Sequence, residues 1–142
     1  MVIGSAKIPR YVLRDGLGYA SPRVLQASFE IGSTVLYGFS DKPAYDVFIS
    51  SSNLLLTPYP LVRGYLERTL DNKLLQLVVL DAGTSQQTLL QATTFESVLD
   101  SLRNQVDNVP VTHRLLIDKA SAEYRVEEST NLDEAIHASV KE

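Results

Sequence analysis

A chain of 142 residues, 44% apolar and 21% charged, has the size and composition of one folded domain and not of a disordered tail; such a domain buries roughly 68–70% of its unfolded surface. It has no cysteine, which excludes disulfides, thiolate metal sites and a cysteine nucleophile together. The formal net charge of −4 is uneven: residues 1–25 carry Lys7, Arg10, Arg14 and Arg23 against Asp15, a net +3, and the remainder sums to −7. Four spread cations are thin beside the clustered basic stripe of a nucleic-acid binder, so a nucleic-acid partner is not expected. The basic segment is expected to lie against the acidic body of its own chain.

The longest uncharged window, Val47 to Val62, holds two prolines, four serines and threonines and an asparagine. It is shorter than the roughly 20 apolar residues of a membrane span. No apolar run follows the N-terminal basic residues as it would in a signal peptide. No membrane partner and a cytoplasmic location are the expectation.

In chain order, residues 1–33 form a basic N-terminal segment that reads in more than one way. Tyr11 to Arg14 (YVLR) is a short strand ending at Asp15-Gly16, a common turn pair. In SPRVLQASFEIG, Ser21 and Pro22 suit a helix N-cap and first position. Ala27, Phe29 and Ile31, however, alternate with Gln26, Ser28 and Glu30 like a half-buried strand. The alternation favours the strand.

From Thr34 onward a strand–turn–strand–helix pattern recurs. The first unit is TVLYGF (34–39), a turn at SDKPA, YDVFIS (45–50) and a helix over about 57–70. In that helix Leu61, Val62, Tyr65, Leu66 and Leu70 share an apolar face, with Pro58 and Pro60 at its entrance. In the second unit LLQLVVLD (74–81) is a nearly continuous apolar run, as in a strand covered on both faces. TLLQA (88–92) returns, and a helix over about 94–106 carries Phe95, Val98, Leu99, Leu102 and Val106 on one face. Thr93 and Glu96 have the spacing of a capping box.

The third unit, THRLLID (112–118), EYRVE (123–127) and a helix over about 131–140, repeats the second at a fixed offset of 37 residues: Asp81 matches Asp118, Leu89 matches Val126 and Thr93 matches Thr130. The expected fold is therefore a single α+β domain spanning 1–142. It has a mainly antiparallel sheet built from hairpins, with the helices on one face and ββα units that suggest a duplication.

Candidate chemistry is sparse. Ser50-Ser51-Ser52-Asn53 follows a strand-like run, but no G-x-S-x-G occurs anywhere, and a lone His113 or His137 is more often structure than a catalytic base. Two histidines 24 apart without cysteine give no metal-ligand spacing. Asp81 and Asp118 end equivalent strands, where an aspartate commonly holds a turn. Gly16-Leu17-Gly18 lacks the third glycine and the βαβ setting of a nucleotide loop. Neither cofactor nor metal is indicated, and no catalytic set emerges.

Two functions follow from this. The first is a non-enzymatic protein-interaction or regulatory domain that pairs with a protein partner or with itself as a homo-oligomer. It would use a sheet edge or the 57–70 helix, since the rigid Pro58-Tyr59-Pro60 knuckle suits an interface. The second is a binding protein or enzyme for a small anionic ligand, with a cleft between the sheet and that helix. The expected contact residues are Tyr59, Arg63, Ser51 and Asn53, the arginine meeting the anion.

Overall fold

The computed structural model of the chain describes residues 4–16, 18–25, 33–71 and 73–128. Along it run β1 (Ser5–Lys7), β2 (Tyr11–Asp15), β3 (Gly18–Tyr19), β4 (Ser33–Phe39), α1 (Lys42–Ser50), β5 (Thr57–Pro60) and α2 (Arg63–Thr69). There follow β6 (Leu75–Leu80), β7 (Leu89–Thr94), α3 (Phe95–Arg103), β8 (Asn108–Pro110), β9 (His113–Asp118) and β10 (Glu123–Glu128).

Eight strands make one sheet in the order β10-β9-β7-β6-β4-β2, with β3 and β5 both paired to β2; β1 and β8 form a separate ribbon. Every strand pair is antiparallel except β4 with β6. The fold is thus an α+β domain with a mostly antiparallel sheet.

Side chains of a strand alternate between faces, and β4 and β6 bury both of theirs. Val35, Tyr37 and Phe39 of β4 and Leu77 and Val79 of β6 meet Phe48 of α1 on one face. Leu36 of β4 and Val78 and Leu80 of β6 meet Leu66 of α2 and Phe95, Val98 and Leu99 of α3 on the other. The two expected helices that lie within the described residues do share a face. A helix that was not expected, α1, covers the opposite one.

That helix occupies the run expected as strand YDVFIS. Asp41 caps it, its Oδ1 accepting the Ala44 N–H at 3.0 Å, and a proline stands in the first turn. Ala44, Tyr45, Phe48 and Ile49 turn to the core, the i, i+1, i+4, i+5 spacing of a helical stripe. Val47, which a strand would turn to the same side as Tyr45 and Ile49, is exposed. The first unit is consequently not ββα, and the threefold repeat is not upheld.

The expected 57–70 helix starts later, at Arg63, because Thr57–Pro60 pairs with β2 as a strand. The Leu61 N–H bonds the Arg10 carbonyl at 2.8 Å, so the odd-numbered amides of this stretch face β2. Those of Pro58 and Pro60, which have no N–H, face outward. The knuckle is an edge strand with its donors deleted, a device that blocks further strand addition.

The capping box of Thr93 and Glu96 is also replaced. β7 remains paired through Thr94, opposite Leu77, so Thr93 is a buried strand residue. Thr94 caps α3, its Oγ1 accepting the Ser97 N–H at 3.0 Å. Gln105 takes a left-handed φ of 56° and the Val106 N–H closes on the Ser101 carbonyl at 2.9 Å. That C-terminal cap ends the helix before Val106. The expected strand over 26–31, the helix over 131–140, Thr130 and His137 fall outside the described residues.

One position in this frame tolerates no side chain. Gly38, between β2 and β6, lies where the chain crosses from β1 into β2, and a Cβ there would stand 2.3 Å from Val78 Cγ1 and 3.0 Å from Pro9 Cβ. Both neighbours are stiff. Gly38→Ala should cost about 1–3 kcal/mol by overpacking. The check is a urea titration of both proteins; an unchanged midpoint would refute the tight crossing.

Candidate functional site

The described residues cover the face carrying α1 incompletely. Among the described residues α1 is its only helix, and a helix about 10–12 Å wide cannot span strands spaced about 4.8 Å apart across the whole sheet. Loops take over beyond it, and they leave a cavity of about 590 Å³. This is within the roughly 300–1,000 Å³ of small-molecule sites.

Its floor is aromatic and aliphatic: Tyr37 of β4, Phe48 of α1, Ile117 of β9 and Tyr124 of β10, with Leu56 from the loop after α1. The Tyr37 and Phe48 rings lie 4.6 Å apart at 48°. The wall at Tyr19–Arg23 is held by the sheet itself. The Tyr37 N–H bonds the Ala20 carbonyl at 3.2 Å, and the Tyr124 N–H bonds the Arg23 carbonyl at 2.8 Å. Ser52, Asn53 and Ser85 bring polar groups to the mouth.

The two floor phenols differ. The Tyr124 hydroxyl donates to the Gln87 carbonyl. The Tyr37 side chain, only 4% exposed, lines the cavity. Burial pushes both phenols above the usual tyrosine range, Tyr37 far above it, with Tyr124 adding to that shift. Tyr37 is therefore protonated at neutral pH.

The sequence-predicted contact residues are divided. Asn53 reaches the cavity mouth, and Ser51 next to it donates its hydroxyl to the Phe48 carbonyl at 2.9 Å, closing α1. Tyr59 and Arg63 are not among the cavity residues, and with Tyr59 in β5 they do not share a helical face. The Tyr59 ring takes the Arg14 guanidinium 5.3 Å from its centroid, and the Tyr19 ring takes it at 5.2 Å. Arg63 bonds Glu67 at 3.3 Å, and Arg103 of α3 bonds the same carboxylate at 3.3 Å. Those two guanidinium groups hold Glu67 below the usual carboxylate range and tie α2 to α3.

A cleft of about 230 Å³ does lie between the end of α2 and the sheet. Its buried polar group, Gln76, is already satisfied: Nε2 donates to the Thr69 carbonyl at 2.5 Å and Oε1 accepts the Asp71 N–H at 2.9 Å. Nothing there waits for a ligand.

The other candidates take structural roles. Asp81 accepts the Ser40 N–H at 2.7 Å and the Ser40 hydroxyl at 2.8 Å, joining the ends of β6 and β4, while Asp118 accepts the Ser121 hydroxyl at 2.8 Å. Arg10 pairs with Asp107 at 3.3 Å and Arg23 with Glu123 at 3.6 Å, so two cations of the basic segment rest on the acidic body. Among the described residues no three His, Asp or Glu side chains gather as a metal site, and no helix is long and apolar enough to cross a membrane.

The convergence on Tyr37 was missed because its partners come from β4, α1, β9 and β10, which no local pattern joins. Comparison of the chain with protein-family models, with curated proteins and with solved structures yields no match.

His113, 8% exposed at the head of β9, has Nδ1 2.8 Å from the Thr112 hydroxyl. Burial lowers its pKa from the ordinary 6.5, against the smaller opposing pull of Glu128. A lowered folded pKa means that the unfolded chain takes up the proton first. The His113 contribution is thus complete above pH 6.5, is lost as pH falls below it, and levels off under the folded value. Denaturation at pH 7.5 and at pH 5 should show a larger loss for the parent than for His113→Gln; equal losses would contradict the assignment.

Proposed function

We propose that the chain is a non-enzymatic small-molecule-binding domain of the cytoplasm, with its site in the cavity over Tyr37, Phe48 and Tyr124. The observation that carries this is the cavity itself, about 590 Å³ lined by Tyr37, Phe48, Ile117 and Tyr124, a volume within the range of small-molecule sites. The Ser52 and Asn53 side chains at the mouth suit the polar end of such a molecule. The site lies on the opposite face of the sheet from α2.

Protein-observed NMR against a general fragment library tests the reading. Hits should shift the ring resonances of Tyr37, Phe48 and Tyr124, and Asn53→Trp should abolish them by plugging the mouth while the fold persists. Loss of one hydrogen bond, about 0.5–1.5 kcal/mol, should make Tyr37→Phe bind a confirmed hit roughly 2- to 12-fold more weakly. No perturbed cavity resonance across the library would sink the proposal.

Self-association is a second reading, supported by Leu54 and Leu55, which stand 56% and 90% exposed beside the cavity mouth. With β5 lacking outward donors, it would proceed through this apolar loop and not by strand addition. Sedimentation at micromolar concentrations should then give a dimer that Leu55→Glu converts to a monomer. A monomeric parent would end that reading.

A further inference from the structure

Resting on the proposed site, the charge of its lining points further, to the class of molecule it takes. Among the described lining residues the charged side chains are Asp15 and Arg23. The Arg23 guanidinium pairs with Glu123 at 3.6 Å, so its charge is met from within the chain. Asp15 has no such counter-charge: no salt bridge among the described residues engages its carboxylate. The alternation of β2 accounts for this. Tyr11 and Leu13 turn to the α1 face and Val12 to the other, so Asp15 follows Leu13 toward the cavity and Arg14 turns away from it. The neighbouring cation is thereby held over the Tyr19 and Tyr59 rings, 5.2 and 5.3 Å from their centroids, and is not a cavity residue.

The rest of the lining agrees in sign. The rings of Tyr37, Phe48 and Tyr124 present π systems, which attract cations and not anions. An ion carried down to the floor would lose its hydration, so a charged group belongs at the exposed Asp15 carboxylate, with Ser52 and Asn53 also in the lining. We infer that the ligand is an amphipathic cation, an amine carried on an apolar body: its ammonium meets Asp15 while the body lies against Phe48 and Ile117. The sign is opposite to that of the anionic ligand expected from the sequence. That expectation rested on Arg63, which is engaged with Glu67 and lies outside the cavity.

Three probes of similar shape and different charge decide the matter: 2-naphthylmethylamine (cation), 2-naphthalenemethanol (neutral) and 2-naphthoate (anion), titrated at pH 7 into the full chain by NMR. The amine should bind roughly fivefold more tightly than the alcohol, and the anion most weakly. Added salt should narrow the difference between amine and alcohol. Asp15→Asn, a change of charge at an exposed position, should bring the amine to the level of the alcohol and leave the alcohol's affinity as it was. If the alcohol or the anion binds as tightly as the amine, the cationic class is wrong and the binding site stands. A preference for the amine that survives Asp15→Asn overturns the assignment to that carboxylate. If none of the three binds while other fragments still perturb the Tyr37 and Phe48 rings, the amine class is wrong and the site again stands. If neither the probes nor any fragment perturbs those rings, the binding function itself falls.

Discussion

Strands β4 and β6 lie side by side and run in the same direction, and most of the architecture answers to that. Parallel neighbours cannot be joined by a tight turn; the chain must leave the sheet and return to the starting end through a long crossover. Here the crossover does not stay on one face. It descends through α1 on one side, turns the sheet's edge as β5, and comes back through α2 on the other. The Asp81 carboxylate locks the far end, bonding Ser40 across the two strand termini. A mainly antiparallel sheet thereby acquires helices on both faces.

The route explains the two prolines that a local reading assigns to a helix start. A segment that carries the chain around an edge becomes the edge, and an exposed edge strand is a template for unwanted pairing. Pro58 and Pro60 fall at the amides that point outward, and Tyr59 supplies a ring to Arg14 of the adjacent β2. At the other end of the sheet the problem is met by different means. Residues 23–25 bond Tyr124 of β10 through the Arg23 carbonyl and the Leu25 N–H, at 2.8 and 2.9 Å.

What was legible in the sequence was what local pattern controls. The apolar run of β6, its return strand β7, the face of α3 and the hairpin of β9 with β10 all follow from periodicity and turn chemistry, and all are present. α1 carried the right signals in Asp41, Pro43 and the Ala44, Tyr45, Phe48, Ile49 spacing. The apolar run of YDVFIS suits a strand as well, and only packing decides between the two in nine residues. Thr93 and Thr94 show the same limit: both can cap, and the length of pairing opposite β6 determines which one does. Of the site, the polar mouth at Ser52 and Asn53 was visible as a small polar cluster. Tyr37 and Tyr124 read as ordinary strand aromatics, because the sequence does not state that β4 and β10 share a chamber.

The chamber itself follows from a mismatch of widths. Six strands run from β10 to β2, about 24 Å at 4.8 Å spacing, and the single described helix on that face is at most about half as wide. On the opposite face α2, α3 and the β1–β8 ribbon share the task and the core is closed by Leu66, Phe95, Val98 and Val109. On the α1 face Phe48 packs against Phe39 and Tyr37, and past Tyr37 the covering by the described residues passes to loops, whose backbone must keep its own polar groups satisfied. Had Tyr37 been a phenylalanine, that gap would be a packing defect and nothing more. A hydroxyl at its floor, beside a Tyr124 phenol bonded to the Gln87 carbonyl, gives the gap a polar group as well as apolar walls.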